Sequence, residues 1–260
     1  MIYKLKAFAV HIGISLAIFI AIISYIIYFW YPQPFFVSDG GWQGIRIIAA
    51  VDLILGPVLT LIVYKPKKPK LKLDLTIIGL VQASALVWGI WVVHFERPIA
   101  TVYAEGFFFS VTANDMKRTG IAPGKLNTFG ERSPFWIYSK LPSDLNELQK
   151  IRISALQSGR TVHLMADYYV ALDQSVRDQL VAESFNIEVW IKDKPEGQVV
   201  YQKFKEKHKS EMEDIIIFPW RARYARSFVA LRKSDLKFIA MLDIRPPEVE
   251  KEKPEYRQSN

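Results

Sequence analysis

The residues best placed to do chemistry stand where charge is least expected. Arg46 and Asp52 interrupt the apolar run from Ile45 to Tyr64, and Asp74 and Gln82 stand in the next one. An ionisable group in hydrocarbon costs about 2.5–3.5 kcal/mol on insertion scales, so each is expected to face a partner or a cavity. Asp52, Gly56 and Thr60 follow at intervals of four, which on a helix makes one stripe; its glycine lets a second backbone approach closely. Pro57 removes a backbone donor and, in an α-helical register, frees the Leu53 carbonyl for an outside hydrogen bond. The stripe reads as a helix-docking face. Three occupants fit it: the chain's own first or third helix, a partner's membrane helix, or an ion or proton path using Asp52 as its acid. Arg46 lies about one and two-thirds turns from Asp52, on a different face, so the two do not automatically pair. Asp74 reads as a charge complementing the start of its helix, and His11 as a tolerated interfacial residue.

Three helices must position these residues. Ala7 to Trp30 is apolar apart from His11 and two serines, and it ends in bulky aromatics rather than a small-residue cleavage site, so it is expected to remain as a membrane helix. The second is expected from about Trp42 to Tyr64 and the third from about Leu73 to Phe95, each long enough to cross a hydrocarbon core of about 30 Å. Pro32, Pro34, Gly40 and Gly41 break the first connection, and Pro66 and Pro69 keep the second extended. That second connection carries Lys65, Lys67, Lys68, Lys70 and Lys72, whereas the first carries Asp39 and no Lys or Arg. Positive flanks stay on the cytoplasmic side, so the N-terminus and the lysine segment are expected inside, and everything beyond Arg97 outside, in the periplasm of a double-membraned bacterium. The lysine segment is also suited to contact anionic lipid of the inner membrane.

The 260 residues are 50% hydrophobic yet have a mean hydropathy of only +0.09, because two unlike halves are averaged. Residues 1–97 hold the long apolar runs, 98–245 read as an α+β domain with a mostly antiparallel sheet, and 246–260 read as a disordered charged tail. Strands are expected at Thr101–Val111, Thr161–Val170, Ile187–Ile191, Asp214–Phe218, Ser227–Arg232 and Lys237–Ile244. Helices are expected at Asn114–Thr119, Ser143–Gln157 and Leu172–Phe185, the second capped by Ser143. Part of the +8 net charge sits in the lysine segment, where topology explains it, so no nucleic-acid partner is expected. Cysteine is absent, which excludes disulfides and thiolate chemistry. The nucleophile elbow, the zinc-protease helix and the phosphate-binding loop are all missing, and His163 with Asp167 falls in an expected strand rather than on a helix. No catalytic residue, metal site or cofactor is therefore expected. Arg221, Arg223 and Arg226 near Trp220 and Tyr224 form a basic aromatic cluster suited to an acidic partner surface, or to arginine stems packed on rings beside solvent.

In order of features the chain resembles the type IV pilin accessory proteins of the TfpX/TfpZ kind, also called fimbrial assembly proteins. The residues carrying the resemblance are VDLILGPVLTLIVYKP at Val51 to Pro66, DLTIIGLVQASAL at Asp74 to Leu86 and ERPIATVYAEGFF at Glu96 to Phe108. The resemblance implies a multi-pass inner-membrane protein that binds the major pilin and assists or modulates its assembly or display without being an enzyme. On that reading Arg46, Asp52, Gly56, Pro57, Thr60, Asp74 and Gln82 belong to a face for the pilin's membrane helix, with Arg46 offering a charge partner. Arg221, Arg223 and Tyr224 would meet its head. The rival is a membrane-anchored periplasmic ligand-binding, sensor or transporter subunit. A lysine segment too short for an output domain, and three crossings without an inverted repeat, argue against it.

Overall fold

The computed structural model describes residues 2–65, 68–130 and 132–248, as two compact units divided between Arg97 and Pro98. The expected tail from 246 lies outside the described residues beyond 248, as do Pro66 and Lys67 of the lysine segment.

The first unit consists of three helices long and apolar enough to cross a membrane: α1 at Ile2–Trp30, α2 at Gly41–Val63 and α3 at Leu71–Phe95. Each begins or ends where a backbone feature forces it. Gly40 takes a φ of 98° immediately before α2, a conformation glycine adopts freely, and Lys70 takes 63° before α3. Large apolar side chains such as Ile20, Ile54, Leu80 and Val87 point outward, the reverse of a water-soluble fold and the arrangement lipid solvates. Toward the α1–α2 connection the helices close on a buried cluster of Ile26, Tyr31, Ile45, Ile48 and Val93. There the Tyr31 hydroxyl donates to the Val93 carbonyl at 3.0 Å.

The second unit carries a seven-stranded mixed sheet, with helices interspersed along the chain. Its strands are β1 (Pro98–Ala104), β2 (Phe107–Thr112), β3 (Phe135–Ser139), β4 (Tyr169–Ala171), β5 (Ile215–Arg221), β6 (Arg226–Arg232) and β7 (Phe238–Leu242). Their order is β4-β3-β1-β2-β5-β6-β7, and the β1–β3 and β2–β5 pairings are parallel while the other four are antiparallel. Every residue of β1, an interior strand, is buried, as a strand covered on both faces must be. Tyr103, Phe108 and Phe218 pack ring to ring at 5.0–5.5 Å between centroids, in the middle of the sheet.

Several expectations change here. Thr101–Val111 is not one strand: Glu105 and Gly106 both take positive φ and turn it into the β1–β2 hairpin. Ile187–Ile191 is a short helix, started by the Asn186 side chain accepting from the Val189 N–H and anchored by buried Ile187 and Ile191. Its apolar residues recur at a helical interval of four, which a five-residue window does not separate from alternation. Thr161–Val170 is two 3₁₀ turns leading into β4. The helix within Leu172–Phe185 covers only Arg177–Ala182, and a helix at Pro195–Lys207 was not expected at all. The cap of Leu145–Gln157 is Asp144, which accepts from the Glu147 N–H at 2.9 Å, in place of Ser143.

Candidate functional site

The acid stripe of α2 faces inward. Asp52 and Thr60 are 3% and 4% exposed, and Gly56 and Pro57 are buried with them, all turned toward α1 and α3. The turn holding Asp52, Ala50–Leu55, is π-helical: the Gly56 N–H bonds to the Val51 carbonyl, five residues back. In that register Pro57 leaves the carbonyl of Asp52 without its helical donor, in place of Leu53. The Gln82 amide reaches across from α3 and donates to it at 3.3 Å.

Gln82 is the hub. The same amide nitrogen donates to Asp52 Oδ1 at 2.5 Å and to Ser15 Oγ on α1 at 3.3 Å, while Ser15 donates to Asp52 Oδ1 at 3.2 Å. These bonds fix the orientation of the amide, so its oxygen accepts from His11 Nε2 at 3.0 Å. In the neutral imidazole the Thr60 hydroxyl then donates to His11 Nδ1 at 2.6 Å. All three helices are thus joined through five polar side chains. A side chain at position 56 would overlap the Gln82 amide, so the glycine is what admits the hub. One acceptor is left over: Asp52 Oδ2 is buried without a hydrogen-bond partner among the described residues.

Beside this network α1 and α3 part, leaving a cleft of about 730 Å³ whose polar side is His11, Ser15, Asp52, Thr60 and Gln82. Its walls are apolar and include Val10, Ile14 and Ile18 of α1 and Leu75, Gly79 and Ala83 of α3.

The structure therefore brings Asp52, Gly56, Pro57, Thr60 and Gln82 together and leaves two expected members outside. Arg46 is exposed in the second turn of α2 with no hydrogen bond or ion pair among the described residues, where a long stem carries its charge toward the helix end. Asp74 pairs with Lys68 at 2.6 Å before the first turn of α3 has closed. His11 and Ser15 were missed as site residues; their spacing of four on one helix face was the available signal. His11 is no merely tolerated interfacial histidine, because both ring nitrogens are engaged.

In the second unit Arg221, Arg223, Tyr224 and Arg226 form the tip of the β5–β6 hairpin. The Arg221 guanidinium lies 5.3 Å above the Phe107 ring and donates to the Pro247 carbonyl, and Arg223 lies 5.5 Å above the half-exposed Tyr224 ring. His163 and Asp167 do not converge: His163 stacks on Phe109 at 4.1 Å, while Asp167 lies 3.8 Å from Lys125. Among the described residues no cluster of three metal-ligating side chains occurs.

The chain is similar to three proteins of Dichelobacter nodosus, in each case 30% identical over 105 residues, or 39% of this chain. They are the fimbrial assembly proteins of serogroups C1 and C2, of serogroup E1 and of serogroup I. The match covers 79% of the C1 and C2 protein but only 40% of each of the other two, so the chain spans well under half the length of those relatives. No family model and no solved structure matches it.

Proposed function

The chain belongs to the fimbrial assembly protein family, and from that premise we propose that it is a non-enzymatic, multi-pass accessory protein of the TfpX/TfpZ kind that binds the major pilin in the bacterial inner membrane. The observation that carries this reading is the joining, in one chain of that family, of a three-helix unit of membrane-crossing length to a globular unit. A subunit awaiting assembly that is held by an apolar helix has one part in lipid and one in water, and a two-unit protein has a surface for each. On this reading the N-terminus and the lysine segment lie in the cytoplasm and the globular unit in the periplasm, a placement that the distribution of lysines supports. The Arg223–Tyr224 tip of the β5–β6 hairpin is the exposed, basic and aromatic part of the globular unit, suited to an acidic patch on the pilin head.

A photoreactive residue at Tyr224 in native membranes should capture the major pilin. Failure to capture it there and at neighbouring exposed positions, with the protein at normal abundance, would overturn pilin binding. Orientation is open to a direct test because the chain has no cysteine. Lys209→Cys should react with a membrane-impermeant maleimide added to intact spheroplasts and Lys70→Cys should not; the opposite pattern would invert the topology.

A further inference from the structure

The cleft between α1 and α3 has the length and direction of a helix. Its α1 wall runs from Tyr3 to Ile18, about 22 Å at 1.5 Å per residue, roughly parallel to the axes of the helices that line it. On the α3 wall Gly79 and Ala83 are four apart, and a side chain built at Gly79 would meet nothing within 4 Å. Small residues on an open face let another helix backbone come close. Asp52 stands at the centre of the 23-residue α2, and its unpartnered Oδ2 belongs to a side chain lining this cleft. Nothing in hydrocarbon satisfies such an acceptor, since a lipid tail in the cleft brings no donor. A helix side chain does bring one.

We propose that this cleft seats a fourth membrane helix, supplied by the fimbrial subunit, which enters with a hydrogen-bond donor at the depth of Asp52. The proposal rests on the reading above and gives it a place and a chemistry. The stripe itself is filled by the chain's own α1 and α3, and the partner approaches from the cleft that Asp52 lines, its donor reaching the buried Oδ2 as the lining side chains adjust. Its helix is apolar around most of its circumference, presents a small face to Gly79 and Ala83, and carries one donor near its middle.

The test uses the full chain in nanodiscs of phosphatidylethanolamine and phosphatidylglycerol, with synthetic 23-residue Leu/Ala membrane helices detected by energy transfer. One peptide has a central Lys, which is a donor only; the other has Leu there. The Lys peptide should bind about tenfold tighter or better, the scale of a hydrogen bond to a charged group. In Asp52→Asn the amide oxygen keeps the bonds to Ser15 and Gln82 and the cleft receives an N–H instead, so the preference should vanish with the fold intact. Gly79→Leu, which fills the wall from outside the network, should weaken both peptides. Equal binding of the two peptides to the unaltered chain would overturn donor recognition. No peptide binding, with a phospholipid retained in native mass spectra and released by Gly79→Leu, would make the occupant a lipid and overturn the helix. Self-association abolished by Gly79→Leu, again without peptide binding, would make it a second copy of this chain. The peptides contain no subunit head, so failure here leaves capture at Tyr224 standing, and failure at Tyr224 leaves a measured peptide preference standing.

Discussion

The two units are built inside out with respect to each other. In the globular unit the large apolar side chains are central: Phe218, Phe228 and Trp220 are fully buried. In the three-helix unit large side chains such as Leu80 and Ile54 are 63% exposed, and between the helices the polar groups His11, Ser15, Asp52, Thr60 and Gln82 accompany the apolar cluster around Ile26 and Ile48. The difference follows from the solvent. Water drives apolar area inward, whereas lipid gives apolar helices no reason to associate, so close packing and hydrogen bonds hold them. Truncating a large apolar side chain should therefore cost far more in the globular unit than on the outer face of the three-helix unit.

The largest contrast is expected from truncating an apolar side chain in each unit. Phe218→Ala removes a fully buried ring packed on Tyr103 and Phe108 and should cost about 3–5 kcal/mol. Leu80→Ala should cost well under about 1 kcal/mol, because lipid replaces what is lost. Denaturation of the full chain in lipid-detergent micelles, read by hydrogen exchange in β5 and in α3, separates the two. Equal costs would mean that α3 does not face lipid.

A smaller effect is expected from removing the hub. Gln82→Leu strips donors from the Asp52 carbonyl, Asp52 Oδ1 and Ser15 and takes the acceptor from His11, leaving buried groups unpaired at about 1–3 kcal/mol. Adding Asp52→Leu should restore part of that loss, because removing both partners of a buried polar pair costs less than removing one. A double-mutant cycle measures the coupling. Additive losses would show that the network does not join the helices.

How much of this the sequence revealed depended on how local the cause was. Three long apolar runs, punctuated by proline, glycine and lysine, locate α1, α2 and α3 within about five residues, and the interval of four marks Asp52, Gly56 and Thr60 as one face. What faced that stripe was not legible, because His11, Ser15 and Gln82 meet it across 30 to 49 positions of chain. The π-helical turn shifted the freed carbonyl from Leu53 to Asp52, which a sequence read in α-helical register misses. In the globular unit, short windows failed where tertiary contacts decide. Ile187–Ile191 has five residues, too few to fix a period, and becomes helical because Asn186 caps it and the buried cluster with Phe185 and Phe228 accepts its apolar side. The Glu105–Gly106 turn hid inside an apolar run that looked continuous.

The finest test of the comparison concerns one histidine in each unit. His11 has hydrogen-bond partners on both ring nitrogens, whereas His163 is stacked, half-buried, on the Phe109 ring, and among the described residues its ring has one hydrogen-bond partner, Thr161 Oγ1 at 3.3 Å from Nε2. Burial pushes the His163 imidazole down to about 4, against a weaker upward pull from Asp115. Unfolding returns the ring to its ordinary value near 6.5, so between pH 6.5 and 4 the unfolded chain binds the extra proton. The neutral ring's contribution is therefore complete above pH 6.5 and is lost as pH falls through that window. Allowing for solvent screening at a ring that is not fully enclosed, the loss should be about 1–2 kcal/mol. His163→Phe keeps the stack and removes the proton site, so subtracting its stability–pH profile from that of the parent should isolate this slope. Parallel profiles between pH 4 and 6.5 would show that His163 is as well solvated folded as unfolded, and that the globular unit does not exclude water where its rings stack.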